Sequence, residues 1–224
     1  MAGKKLSGVK VTTPKFRVNW PHVLTPQDPR PGDAANKKPQ YSVQMLFDKE
    51  AMATPEFAKV KAALLAAGVE AWGADRKLWP VLKSTPFKDQ GTALKKRDNG
   101  EEYLPDGYTK GCIMLSAHSN QQPGLIDGKK NKILDESEFY SGCYARAVVV
   151  FKAYNFLGEG LTCYLQHVQK ISDGGSLSGR TTAEDSFSPL EDESGFETPT
   201  DAAGGDDLLG GAPVAAPTAD PLGV

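Results

Sequence analysis

Beyond residue 183 the sequence contains no lysine and no arginine. The same 41 residues carry 10 acidic side chains. Residues 1–183 hold all 26 basic residues against 18 acidic ones, a formal +8. The net charge of −2 is therefore the sum of a basic body and an acidic tail. Two readings follow. Either the body binds a polyanion and carries its own polyanionic competitor, or an ordinary domain carries a solubilising tail.

Other absences narrow the class. No run approaches the roughly 18 apolar residues that would cross a bilayer. The first ten residues include three lysines and no apolar stretch, so no secretory leader is expected. No Asn-x-Ser/Thr site occurs. The three cysteines, Cys112, Cys143 and Cys163, are odd in number and widely spaced. They predict buried thiols in a reducing cytoplasm rather than a disulfide frame. The sequence has no Walker P-loop, no G-x-G-x-x-G and no G-x-S-x-G elbow. No two cysteines or histidines stand at metal-ligand spacing, and no cofactor is expected. His22, His118 and His167 are isolated, and His167 falls in an expected strand as a structural imidazole. Among the acids only Glu101–Glu102 and Asp135–Glu136–Glu138 cluster, both in expected loops. They read as solvated surface, with a metal-dependent nuclease left open as an alternative.

What is present is a pattern of strands around one helix. Val9 to Trp20 is extended and interrupted at Pro14. Its second half alternates Phe16, Val18 and Trp20 against Lys15, Arg17 and Asn19. Thr25 to Gln40 contains four prolines and reads as a long loop. Tyr41, Val43, Met45 and Phe47 mark a returning strand. A helix is expected from Thr54, a good N-cap, with Pro55 at its first position and Gly73 as its stop. Phe57, Val60, Leu64, Ala67 and Ala71 line its buried face. Asp89 to Glu102 reads as an exposed loop. Ile113, Leu115 and Ala117 lie on one face of a strand. Asp127 to Lys132 is a turn bearing Lys129, Lys130 and Lys132. Ser141 to Tyr154 is the strongest strand, and Leu161 to Ile171 pairs back onto it. Gly174 and Gly175 close the ordered body. About five antiparallel strands with an inserted helix suggest a small barrel. The composition divides the chain into a domain over 1–182 and a disordered acidic tail over 183–224.

Single-stranded nucleic acid needs cations for phosphates and flat side chains for unstacked bases. Tyr144, Arg146, Lys152 and Tyr154 share one face of the strongest strand, with Phe156 in the turn that follows. The opposite face, Cys143, Ala145, Ala147, Val149 and Phe151, is apolar and suits the core. Tyr164 adds a ring from the neighbouring strand. Lys83 and Lys88 flank Phe87, Tyr108 precedes Lys110, and Lys95, Lys96 and Arg97 form a cluster. These residues are the candidate DNA-binding set.

The order of features resembles the phage-encoded OB-fold single-stranded DNA-binding proteins with acidic C-terminal tails. The resemblance rests on Ser141-Gly142-Cys143-Tyr144-Ala145-Arg146, Ala153-Tyr154-Asn155 and Leu165-Gln166-His167-Val168-Gln169-Lys170. Gly179-Arg180-Thr181-Thr182-Ala183-Glu184-Asp185-Ser186-Phe187 and Phe16-Arg17-Val18-Asn19-Trp20-Pro21-His22 extend it. It implies an all-β, OB-type five-stranded antiparallel barrel with one or more inserted helices. It also implies non-enzymatic, nonspecific binding of single-stranded DNA in phage replication, recombination or repair, in the host cytoplasm. Phage or host replication proteins are the partners expected for the tail. One departure is that the last residues, Asp220 to Val224, include no aromatic side chain, whereas many tails of that family end in one. A virion structural or assembly protein is the other alternative.

Overall fold

The extended first segment forms two strands, β1 (Val9–Thr12) and β2 (Phe16–Gln27). Pro14 supplies no donor between them. Thr13 bridges the gap: its N–H donates to Ala147 O (2.8 Å) and its hydroxyl accepts from Ala147 N (3.0 Å). This computed structural model describes residues 7–29, 31, 38–155 and 158–177. Phe156 and the tail from 183 to 224 lie outside those residues. Next come β3 (Gln40–Leu46), the helices α1 (Lys49–Ala53) and α2 (Pro55–Trp72), and the short strands β4 (Phe87–Asp89), β5 (Lys95–Lys96) and β6 (Glu102–Tyr103). The strands β7 (Ile113–Ser119), β8 (Gly124–Ile126), β9 (Tyr144–Tyr154) and β10 (Gly160–Ser172) follow.

Five of these strands close a ring. β9 pairs with β2, β2 with β3, β3 with β7, β7 with β10, and β10 with β9. This is the expected OB-type barrel, with one correction. The β7–β10 junction, at Tyr164 opposite His118, is parallel rather than antiparallel. A closed ring with an odd number of strands cannot alternate direction at every junction, so one parallel pair is unavoidable. β1 extends the sheet from β9, and β8 from β10.

The interior follows the alternation of the sequence. Phe16, Val18, Val43, Met45, Leu115, Ala117, Ala145, Ala147, Val149 and Phe151 are all buried. α2 starts and stops where expected. Thr54 Oγ1 accepts from Phe57 N (3.2 Å), and Gly73 ends the helix at φ +89°, a conformation that costs glycine little. Its buried face is Phe57, Val60, Ala63 and Ala67, with Leu64 and Ala71 half-buried at its edge. Phe57 stands 5.0 Å from Phe47 and 6.1 Å from Phe87, and Phe87 meets Phe151 at 6.1 Å. This aromatic chain ties helix to barrel.

Four expectations change. The helical region is two helices, because Asp48 caps a separate short turn through Ala51 N (2.7 Å). Five residues carry no periodic stripe that a sequence reading could detect. The expected loop 89–102 is partly ordered: β5 pairs with β6, and Gln90 is buried. Its amide donates to Phe47 O (2.8 Å) and Ile113 O (2.9 Å) and accepts from Thr109 N (2.8 Å). The packed body continues past Gly175, since Leu177 N donates to Ser141 O (2.8 Å). Trp20, expected inside with Phe16 and Val18, points outward and is 59% exposed. The β2–β3 register slips between Asn19 and His22, so alternation fails at this point.

The three cysteines are free and buried. Desolvation pushes the Cys143 thiol up to about 11 and raises that of Cys163 further still. No helix among the described residues is long and apolar enough to cross a membrane.

Candidate nucleic-acid interface

Outside the barrel, the register lines up a row of side chains. His22 on β2 faces Ser42 on β3, and Ser42 faces His118 on β7. His118 faces Tyr164 on β10, and Tyr164 faces Val150 on β9. With strands about 4.8 Å apart, the run from His22 to Tyr164 spans roughly 14 Å. The His118 and Tyr164 rings lie 5.1 Å apart. Two open depressions, of about 230 Å³ and about 630 Å³, meet along this row and share Ser116 and His118. Trp20, His22 and Gln44 line the first; Lys88, Tyr154, Thr162 and Tyr164 line the second. Among the described residues, no aspartate or glutamate lines either one.

Two of the cations on this face stand at rings. Lys152 Nζ is 5.8 Å from the centre of the Tyr164 ring, and Lys95 Nζ is 5.7 Å from that of Trp20. The Trp20 backbone has φ +45°, an unusual value for a bulky residue. Such outliers persist only where the surroundings enforce them, and they concentrate at ligand sites. Trp20 N donates to Ser141 Oγ (3.1 Å), and the neighbouring Asn19 side chain is buried against Gln44 and Tyr108. The face is thus a wide, open, uncharged-to-basic surface with flat side chains at both ends. It can hold a flexible polyanion with exposed rings better than a compact small molecule.

The candidate set from the sequence divides among several places. Lys88, Tyr154 and Tyr164 line the second depression, and Lys152 reaches over Tyr164. The Tyr154 hydroxyl is 2.7 Å from Ser84 Oγ. Lys83 sits beside that wall, its N–H donating to Glu159 O (2.7 Å). Tyr108 and Lys95 approach Trp20. Lys110 packs beside Gly91. Lys96 and Arg97 belong to the β5–β6 hairpin, where they pair with Glu102 (3.7 Å) and Glu101 (3.0 Å). Tyr144 and Arg146 are at the other end of β9, Tyr144 ten residues or about 33 Å from Tyr154. The outer face of β9 is not one continuous surface. Gly8, at φ +78°, lies so close to Val150 and Lys152 that a Cβ there would strike both, and Val150 is buried on the supposedly open side.

Trp20, His22, Gln44, Ser116 and His118 were not in the set. Trp20 was masked by a regular alternation that the bulge breaks. The Trp20-Pro21 step was the available signal, because proline cannot continue a ladder on its N–H side. The histidines looked isolated because only the β2–β3–β7 register brings them into one row. His167, expected as a structural imidazole, is exposed at a register shift in β10. Among the described residues, no group of three or more His, Cys, Asp or Glu is placed to hold a metal ion.

Residues 9–197 match the family model described as Enterobacter phage Enc34, ssDNA-binding protein. The chain belongs to this family. Protein p50 of Acyrthosiphon pisum secondary endosymbiont phage 1 is 28% identical over 190 residues, covering 83% of this chain and 97% of that protein. In fold the chain is similar to the single-stranded DNA-binding protein from bacteriophage Enc34 in complex with ssDNA. That comparison has a TM-score of 0.56 and 17% identity, and covers 78% of this chain and 96% of the other. It is also similar to gp2.5, a single-stranded DNA-binding protein encoded by bacteriophage T7. The TM-score there is 0.52 and the identity 13%, over 86% of this chain and all of the other. At these identities the structural likeness shows the shared barrel. The Enc34 family match runs from β1 through β10, so Trp20, His118 and Tyr164 all fall within it.

Proposed function

We propose that the chain is a non-enzymatic protein that binds single-stranded DNA without sequence preference. The strand lies across the outer face of β2, β3, β7 and β10. The observation that carries this reading is the row from His22 to Tyr164, flanked by Trp20 and by lysines and lined, among the described residues, by no carboxylate. Bases stack on Trp20, Tyr164 and the His118 ring, and Lys88, Lys95 and Lys152 meet phosphates. Every base offers a π-face, so such stacking tolerates any sequence. Membership of the Enc34 family supports the same ligand class.

The chain then serves phage DNA replication, recombination or repair in the host cytoplasm. Its domain spans 1–182, and the acidic segment 183–224 competes for the DNA face and recruits replication proteins. A segment of −10 tethered to a body of +8 supports that role by charge complementarity. Effective concentrations on the order of millimolar are usual for short tethers.

Binding of a labelled oligonucleotide at several salt concentrations tests the reading. With about four to six phosphate contacts, log K falls against log salt with a slope of about −3 to −4. A slope near zero removes the electrostatic part of the site. Truncation after Ala183 tightens binding most at low salt, and equal affinity of the two forms there removes the competitor role.

A further inference from the structure

Three distant parts of the chain meet beneath Trp20. Asn19 Nδ2 donates to Gln44 Oε1 (2.8 Å) and to Tyr108 Oη (2.7 Å). Tyr108 Oη donates to the same Gln44 oxygen (2.6 Å). The three side chains close a ring of hydrogen bonds directly before Trp20 in the chain. A phenol has one proton to give and two lone pairs to accept with. Gln44 takes the proton, and Asn19 donates to a lone pair. Tyr108 therefore has no proton left to give a phosphate, although it stands at the edge of the proposed face. Its ring is half-buried, which leaves it poorly placed to stack.

What the ring of bonds does is hold Trp20. The indole sits on a backbone at φ +45° and is 59% exposed, a setting that a bulky residue leaves unless something retains it. Its own N–H to Ser141 Oγ holds the backbone, and Tyr108 holds the side chain of the preceding residue, Asn19. Gly107, at φ +83°, turns the loop so that Tyr108 can reach inward, and Leu177 packs where a Cβ would stand.

We infer that Tyr108 is a positioning residue: its hydroxyl fixes Asn19, and so presents the adjoining Trp20 outward as a preorganised stacking platform, and it makes no contact with the DNA itself. This deepens the proposed function and rests on it. The sequence reading put Tyr108 among the DNA contacts; the ring of hydrogen bonds gives it an indirect role.

A double-mutant cycle on the full chain tests the inference, with anisotropy of a labelled oligothymidine as the readout. Trp20→Ala weakens binding by about tenfold or more. Tyr108→Phe, which removes one oxygen, weakens it by about two- to tenfold. In the Trp20→Ala background, Tyr108→Phe has no further effect. Fluorine NMR of the chain labelled with fluorotryptophan gives a second readout on the folded protein. Among the three tryptophans, Tyr108→Phe moves the Trp20 resonance and leaves those of Trp72 and Trp79 in place. An equal loss from Tyr108→Phe in both backgrounds overturns the inference, since Tyr108 then acts without Trp20. So does an unchanged Trp20 resonance. Wild-type binding by Trp20→Ala overturns the placement of the site itself, a different result read from a different corner of the cycle.

Discussion

Two regions of this molecule have nearly the same composition and opposite circumstances. One is the face from Trp20 to Tyr164. The other is the far end of β9, where Tyr144 and Arg146 lie close to Lys15, Arg17, Tyr140 and Lys170. Both combine rings with cations. At the far end, however, the groups are occupied with one another. Lys15 and Arg17 stand 5.1 and 6.0 Å from the Tyr144 ring centre. Arg17 Nη2 donates to Gly175 O (2.8 Å), Tyr140 Oη donates to Gly174 O (2.9 Å), and Lys170 pairs with Asp173 (2.6 Å). Arg146 Nε donates to Gln169 Oε1 (2.8 Å). Gly142 makes room for the Gly175 carbonyl, which any Cβ would strike. This end is a clasp for the segment 173–177. On the Trp20–Tyr164 face the cations hover over rings and the rings face solvent. Partnership, rather than composition, separates the proposed binding face from a structural one.

The largest expected effect breaks the two regions apart. Tyr164→Ala weakens single-strand binding by about 1–3 kcal/mol, and the melting temperature stays near wild type. Tyr144→Ala does the reverse. Loss of its packing lowers the melting temperature by roughly 2–8 °C, while affinity stays near wild type. If Tyr144→Ala costs the affinity instead, the clasp is part of the interface.

A second experiment sharpens the claim that Trp20 is held under strain for binding. Glycine adopts φ +45° freely. Trp20→Gly therefore keeps or slightly raises the melting temperature while binding drops about tenfold or more. A drop in both would make Trp20 a packing residue.

A smaller effect concerns phosphates. Lys88→Gln and Lys152→Gln each reduce the salt slope by about 0.7 if each lysine meets one phosphate. Lys170→Gln leaves the slope unchanged, because that ammonium is committed to Asp173.

The smallest is a pH effect on the clasp. The hydrogen bond from Lys170 holds the Asp173 carboxyl below its usual range. A depressed folded value means the stabilisation is present above the unfolded value, near 3.9, and is lost as pH falls through the lower folded one. Asp173→Asn therefore flattens the acid limb of a stability–pH curve below about pH 4. An identical acid limb in both proteins would mean that the exposed pair contributes nothing to stability.

The sequence was legible where a pattern is local. The cap at Thr54, the stop at Gly73, the apolar face of β9 and the buried cysteines each follow from neighbouring residues. What it could not show depends on register. Tyr144 and Tyr154 alternate correctly onto one face, yet Gly8 and the start of β1 cover the middle of that face. His22 and His118 are 96 positions apart and share a row only because β3 pairs with both β2 and β7. Trp20 obeys period two until a register shift turns it over. Half of the residues on the proposed face, including Lys88, Lys152, Tyr154 and Tyr164, stand out in the sequence by their chemistry. The other half needed the fold.

Photocrosslinking tests the central claim most directly. The full chain is irradiated with an oligonucleotide carrying iodouracil, which reacts with rings stacked against it, and the adducts are mapped by peptide mass spectrometry. The account predicts adducts at Trp20, His118 or Tyr164, competed away by unlabelled single-stranded DNA and by salt. Adducts confined to Tyr140 and Tyr144, with none on the Trp20–Tyr164 face, would contradict it.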